Sequence, residues 1–243
     1  MTGGCVAGNL TARRHCGALP SLEHTMNTLQ NIQNPTFPLP SILDSVPAFS
    51  LLRRRKSIGH YRLNSVDLDR FNRLLARLGR RQGPLAMDQV VTAARQLAAP
   101  GGDTAPECIA QRIARLESVA AMVRDTAWEA ANHAADCAQL VLDYAGDHQD
   151  LIPDWLPRVG RLDDAIVVEA AWPTLAREVA SYRDFQRLRT LEACLRGCAP
   201  QELPFSREAW EAARRHEAAL NAHRRHVREG SYAPVEADRF RVH

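Results

Sequence analysis

Lysine is almost absent from this 243-residue chain: Lys56 stands alone against thirty arginines. A phosphate-binding P-loop needs a glycine-rich run ahead of its lysine, and Lys56 follows three arginines instead. Imine chemistry would have to use that same residue. The six cysteines, Cys5, Cys16, Cys108, Cys137, Cys194 and Cys198, form no CxxC. A chain of this size does not need disulfide staples, so the expectation is a reduced, cytoplasmic compartment, with Cys194 and Cys198 as small buried hydrophobes. No G-x-S-x-G, G-x-G-x-x-G, HExxH or EF-hand spacing is present, which leaves hydrolase, dinucleotide, zinc-protease and calcium-loop readings without support. No apolar run reaches 18 residues, and the first 25 residues lack a signal-peptide core, so neither a membrane span nor a signal peptide is expected. Met26 is an alternative start.

A strand-like alternation is also missing, whereas helical periodicity is abundant. Leu68, Phe71, Leu74, Leu75 and Leu78 fall on one face, with Gly79 as the stop. Met87, Val90, Val91, Ala94 and Leu97 mark a second helix over 86–98. Thr104 and Glu107 suggest a capping box before the stripe Ile109, Ile113, Leu116, Ala120, Val123. Thr126 and Glu129 suggest another, with a break near Asp125 and Trp128 inside the next helix. A helix from Asp164 to about Leu188 contains Pro173, where a kink is expected. The last helix begins at Ser206, stapled by Phe205 and Trp210, and ends at Gly230. The fold class is all-α: a helical bundle containing a helical hairpin with a Pro/Asp-rich elbow.

That elbow is YAGDHQDLIPDWLPRVGRLDD, residues 144–164. Ile152 precedes a proline and should be extended, Pro153 can open a short turn, and Pro157 prevents its growth. Gly160 can supply positive φ; Asp163 suits the N-cap and Asp164 the first turn of the following helix. Leu151, Ile152, Trp155, Leu156, Val159 and Leu162 would tuck the bend against its neighbours. The alternative is that Asp150, Asp154, Asp163 and Asp164 converge on a divalent cation, since residues 143–169 carry seven acids and two arginines. That would make the protein a metal-dependent enzyme.

Tyr144, Asp150, Leu151, Ile152, Pro153, Asp154, Trp155, Leu156, Pro157, Gly160, Leu162, Asp163 and Asp164 resemble, in register, the signature of the YkvA-like family, a bacterial domain of unknown function. The likeness is specific over about twenty residues and weaker over 120–190. It implies a helical hairpin, and it brings no catalytic residues. Family members are often described as membrane-associated, but here His133, Asp136, Gln139 and Asp143 on one helix, and Glu169, Arg177 and Pro173 on the other, would bury charge in a bilayer. The organisation expected is an extended tail over 1–52, a basic helical segment over 53–100, a YkvA-like helical domain over 104–190, and a C-terminal basic helix and tail over 191–243. In the tail, Phe37, Leu39, Ile42, Leu43 and Phe49 could seat on a partner or pack back on the body.

Residues 53–81 hold ten cations (Arg53, Arg54, Arg55, Lys56, Arg62, Arg70, Arg73, Arg77, Arg80, Arg81) against Asp67 and Asp69. Such a run leading into an amphipathic helix suits an anionic membrane face or a protein partner, with Arg53, Arg54, Arg55 and Lys56 as contacts. Nucleic acid is the other polyanion, although Tyr61 and Phe71 offer few stacking platforms. The run could equally dock on the acidic elbow of its own chain. His216, His223 and His226 on the last helix lack a thiolate or a HExxH context, so a solvated basic helix is expected there. The function expected is a non-enzymatic interaction or peripheral membrane-associated module with no resident cofactor and no identifiable small-molecule substrate, lying in the cytoplasm or at the inner membrane face.

Overall fold

The computed structural model describes residues 37–45, 56–98, 105–147 and 150–231. Arg53, Arg54, Arg55, Phe49 and Thr104 lie outside them. Six α-helices appear among the described residues: α1 (Ser65–Arg77), α2 (Met87–Leu97), α3 (Glu107–Arg124), α4 (Asn132–Gly146), α5 (Leu162–Arg196) and α6 (Arg207–Ser231). Two two-residue strands, β1 (Ser57–Ile58) and β2 (Tyr61–Arg62), pair antiparallel ahead of α1, with Gly59 at φ +56° in their turn. This hairpin is too short to leave an alternating pattern in the sequence, and the fold remains an all-α bundle.

α1 follows its sequence closely. Asn64 accepts from the Val66 amide as N-cap, and Leu68, Phe71 and Leu75 are buried. Gly79, at φ +86°, closes a Schellman motif in which the Arg80 amide donates to Leu75 and the Gly79 amide to Ala76. α3 is less regular. It starts at Glu107, so Glu107 cannot be the third residue of a capping box. It buries Cys108, Arg112, Arg115, Val119 and Met122 besides Ile109 and Leu116, while Val123 is exposed. The sequence stripe was therefore rotated, because two buried arginines sit on the core face. Between α3 and α4 the chain does break at Asp125, whose side chain accepts from the Ala127 amide. Trp128 lies in that turn and not in α4, which begins at Asn132, so Thr126 and Glu129 cap nothing.

α5 is the central helix, and α3 and α4 both pack on it. Residues 162–168 are all buried, the apolar Leu162 and Ala165–Val168 within the core and Asp163 and Asp164 on polar partners. It passes through Pro173 at an exposed position and continues beyond Leu188 to Arg196, where Gly197 (φ +70°) provides the stop that the sequence withholds until then. Ser206 caps α6 through the Ala209 amide, and Phe205 and Trp210 on either side of it pack on the core, Phe205 on Phe185 and Trp210 on Trp128. Trp128 gathers Tyr182, Phe185 and Trp210 at ring separations of 5.8, 5.2 and 5.3 Å, seating the first turns of α6. Cys198 is half-buried and Cys194 is exposed, so the pair is not the buried hydrophobic pair expected.

The tail segment 37–45 packs back on the body. Leu43 is buried and Leu39 and Ile42 rest on the core. Its carbonyls are held from three helices or their ends. Arg112 donates to Phe37 at 2.7 Å, Gln89 to Ile42 at 3.0 Å and Ser45 at 2.7 Å, and Arg80 to Leu43. One apolar cluster runs from Leu43 through α1, α2 and α3 to Phe185, so the described basic segment and the hairpin helices share a core.

Candidate functional site: the aspartate elbow

The elbow links α4 to α5 and buries most of its apolar residues: Leu151, Ile152, Leu156, Val159 and Leu162 are all within the core. Trp155 is the exception. It points outward at 70% exposure, with its ring edge-on to Tyr61 of β2 at 6.3 Å. Phe71 of α1 packs on Tyr144 at 5.5 Å, so the start of the basic segment lies against the elbow through rings.

Asp163 organises the bend, although not as an N-cap. Arg161 takes the cap position and α5 starts at Leu162, so Asp163 sits in the first turn with 1% of its surface exposed. Its Oδ2 accepts from the Tyr144 hydroxyl at 2.7 Å and from the Ile152 amide at 3.0 Å. The Tyr144 oxygen in turn accepts from the Leu151 amide at 3.2 Å. Four groups from α4, the elbow and α5 thus satisfy one another away from water. Burial pushes the Asp163 carboxyl up to about 7; the bonds from Tyr144 and Ile152 oppose the rise, and Asp164 and Asp150 add to it. Burial also raises the Tyr144 hydroxyl, with Asp163 contributing. Asp164 faces elsewhere. Burial raises its carboxyl as well, and Arg161, at 2.9–3.0 Å, works against that.

Gly160 is required for a reason the sequence did not disclose. Its φ is not positive, but a Cβ there would lie 2.4 Å from the Asp154 carbonyl oxygen and 2.7 Å from its carbon. The left-handed residue is Arg158, at φ +67°, whose guanidinium reaches the Leu97 carbonyl at 3.3 Å. Pro153 starts the short turn through its carbonyl, which accepts from the Leu156 amide, and Pro157 does the same for Val159.

The four aspartates proposed for a cation are not assembled into a site. Asp163 is engaged by Tyr144 and Ile152, Asp164 by Arg161, Asp150 is half-buried, and Asp154 is exposed. Among the described residues no group of three or more His, Cys, Asp or Glu side chains is placed to hold a metal ion. His216, His223 and His226 are all exposed on α6. Of the surface contacts read from the sequence, Lys56 is described and exposed. Arg62, Arg77 and Arg81 join it as exposed cations without an ion pair among the described residues, whereas Arg80 is turned inward to Leu43 and Asp44. No described helix is long and apolar enough to cross a membrane.

Residues 149–170 match the model of a family described as a protein of unknown function (DUF1232), the YkvA-like family whose signature the elbow resembles. No curated protein and no solved structure matches the chain.

Proposed function

We propose that the protein is a non-enzymatic module that docks on an anionic membrane face through the hairpin and the outer side of the elbow. The observation that carries this reading is Trp155, 70% exposed in a bend that otherwise buries its large apolar residues. Trp155 and Tyr61 form an aromatic pair beside the exposed cations Lys56 and Arg62. Indole and phenol rings settle at the headgroup level, where an apolar body and a polar edge are both accommodated, and nearby cations add roughly 1 kcal/mol each at an anionic surface. The sequence carries Arg53, Arg54 and Arg55 immediately before Lys56, three further positive charges adjoining it along the chain. The buried carboxyls support the non-enzymatic part of the reading. A substrate would have to displace the Tyr144 and Ile152 bonds to reach Asp163.

Co-sedimentation with vesicles of anionic and of neutral lipid, at low and high salt, tests this reading. Binding restricted to anionic vesicles, reduced by salt and lost on Trp155→Ala with Lys56→Ala and Arg62→Ala, is the expected result. Equal binding by the wild type and this triple variant, or no binding to either vesicle, overturns it.

A further inference from the structure

α6 divides into two unlike halves. Up to Arg214 it is seated on the body: Arg207 pairs with Glu178, the Trp210 indole donates to Asp184 at 2.7 Å, and Arg214 also binds Asp184. From 215 to 230 every residue is exposed. That stretch is about 24 Å of helix at 1.5 Å per residue, standing clear of the bundle. An isolated helix of this length is marginal in water. The sequence has nonetheless kept it free of glycine and proline up to Gly230.

The charges divide in the same way. The arginines of the seated half are paired, Arg207 with Glu178 and Glu211 and Arg214 with Asp184 and Glu217, and Arg215, the first residue of the free half, still reaches back to Glu211. In the free half Arg224, Arg225 and Arg228 make no ion pair among the described residues, and with Asn221 they line one shallow depression on the helix surface. Leu220 and Val227, about half exposed, are seven residues apart and so fall within roughly 20° of each other around the helix. By the same geometry Arg224 and Arg228 flank this seam on one side, with Arg225 farther round toward the back of the helix, and His216, His223 and then His226 lie on the other side.

A helix that lies in a lipid surface needs a broad apolar face, and a two-residue seam bordered by hydrogen-bonding side chains on both sides does not provide one. The arrangement suits a groove walled by phosphates instead. A B-form major groove is about 12 Å wide and admits one α-helix, with phosphates along both walls and base edges, including thymine methyls, on its floor. Arginine forks are the natural partners of those phosphates. The deep, narrow major groove of A-form RNA would not admit the helix. We propose that the free half of α6 is a duplex-DNA-binding arm, with the Leu220–Val227 seam facing the groove floor, Arg224 and Arg228 on the phosphate backbone beside it, and Arg225 reaching a phosphate from farther round the helix. This surface is separate in sequence and chemistry from the hairpin and elbow, and it stands or falls independently of them.

The test is fluorescence anisotropy of the full chain with a labelled duplex of about 20 base pairs, from about 50 to 200 mM salt, beside an equal-length single strand. The comparison protein carries Arg224→Ala, Arg225→Ala and Arg228→Ala. These positions are exposed and alanine is the best helix former, so the fold survives, as far-UV circular dichroism checks. The wild type should prefer the duplex and lose affinity steeply with salt. The triple variant should bind at least tenfold more weakly, with the log–log salt slope smaller by about 0.9 for each phosphate contact removed. Unchanged duplex affinity in the variant, a single strand bound as well as the duplex, or no duplex binding at the lower salt would overturn the proposal. So would anisotropy unaffected by the three substitutions while binding to anionic vesicles is lost.

Discussion

The hydroxyl of Tyr144, near the end of α4, donates to the carboxylate of Asp163, in the first turn of α5, at 2.7 Å. The bond joins residues 19 apart in sequence across the bend, and the same two side chains satisfy the amides of Leu151 and Ile152. Tyr144→Phe keeps the ring that packs on Phe71 but leaves the Leu151 amide without its acceptor and Asp163 without one donor. Stability to urea should fall by about 1–3 kcal/mol, the range for a buried group deprived of its partner. An unchanged midpoint would show that the bend does not depend on the tether.

Asp163 also makes stability depend on pH in an unusual direction. Its folded carboxyl lies at about 7 against an ordinary value of 3.8, with burial as the leading cause. Below about pH 4 the group is protonated in both states. Between there and 7 the folded state keeps a proton that the unfolded chain has released, so rising pH favours unfolding, by up to about 1.4 kcal/mol per pH unit. Asp164 is raised too and contributes with the same sign. Urea midpoints measured from pH 4 to 8 should therefore decline through this window and then level. Asp163→Asn keeps an oxygen to accept from Tyr144 and Ile152 and cannot ionise, so its decline should be shallower than that of the wild type.

Gly160 faces the Asp154 backbone so closely that any side chain must displace main chain, not a flexible tip. Gly160→Ala should destabilise by about 1–3 kcal/mol or more, as overpacking does. The same change at Gly146, where a Cβ meets nothing, is the control. Thermal unfolding of the pair separates close approach from a general loss of glycine.

Arg112 is a buried cation in a helix whose apolar pattern gave no hint of it. Its guanidinium is 1% exposed and holds Glu169 at 3.0 Å, the Phe37 carbonyl at 2.7 Å and the Cys108 carbonyl at 2.9 Å. Arg112→Met fills the volume and removes every donor. Glu169 is 42% exposed and can turn to water, so the cost comes chiefly from the two carbonyls, about 1–3 kcal/mol. Limited proteolysis should then cut near residues 37–45 sooner than in the wild type.

What was legible in the sequence follows from which physics is local. The face of α1 and its Gly79 stop could be read because both act within a few positions, as does the Asn64 cap that the structure adds at its start. The elbow could be placed for the same reason: Pro153 and Pro157 restrict their own neighbours. The role of Asp163 could not, because its partners Tyr144 and Ile152 lie 19 and 11 residues away and an acidic residue ahead of a helix has a local alternative as cap. The requirement at Gly160 is likewise a contact across the bend. The stripe on α3 misled because Arg112 and Arg115 face the core, against the rule that places charge outside; Arg115 does so by lying on the Trp172 ring at 4.2 Å. The hairpin is two residues per strand, below the length at which alternation can be seen.

Trp155 was expected to tuck inward with its neighbours and instead faces solvent at 70% exposure. A large side chain placed that way contributes little to folding, and its ring partner among the described residues is Tyr61, edge-on at 6.3 Å. Trp155→Ala should therefore leave the urea midpoint within about 0.5 kcal/mol of the wild type, as surface substitutions do. Leu156→Ala, one residue on and buried, should cost about 2–5 kcal/mol. If Trp155 serves contact, the first variant should be as stable as the wild type and yet bind anionic vesicles more weakly. A Trp155→Ala protein that unfolds as readily as Leu156→Ala would place the indole among the groups that hold the bend, and would remove the reason for assigning it to a surface.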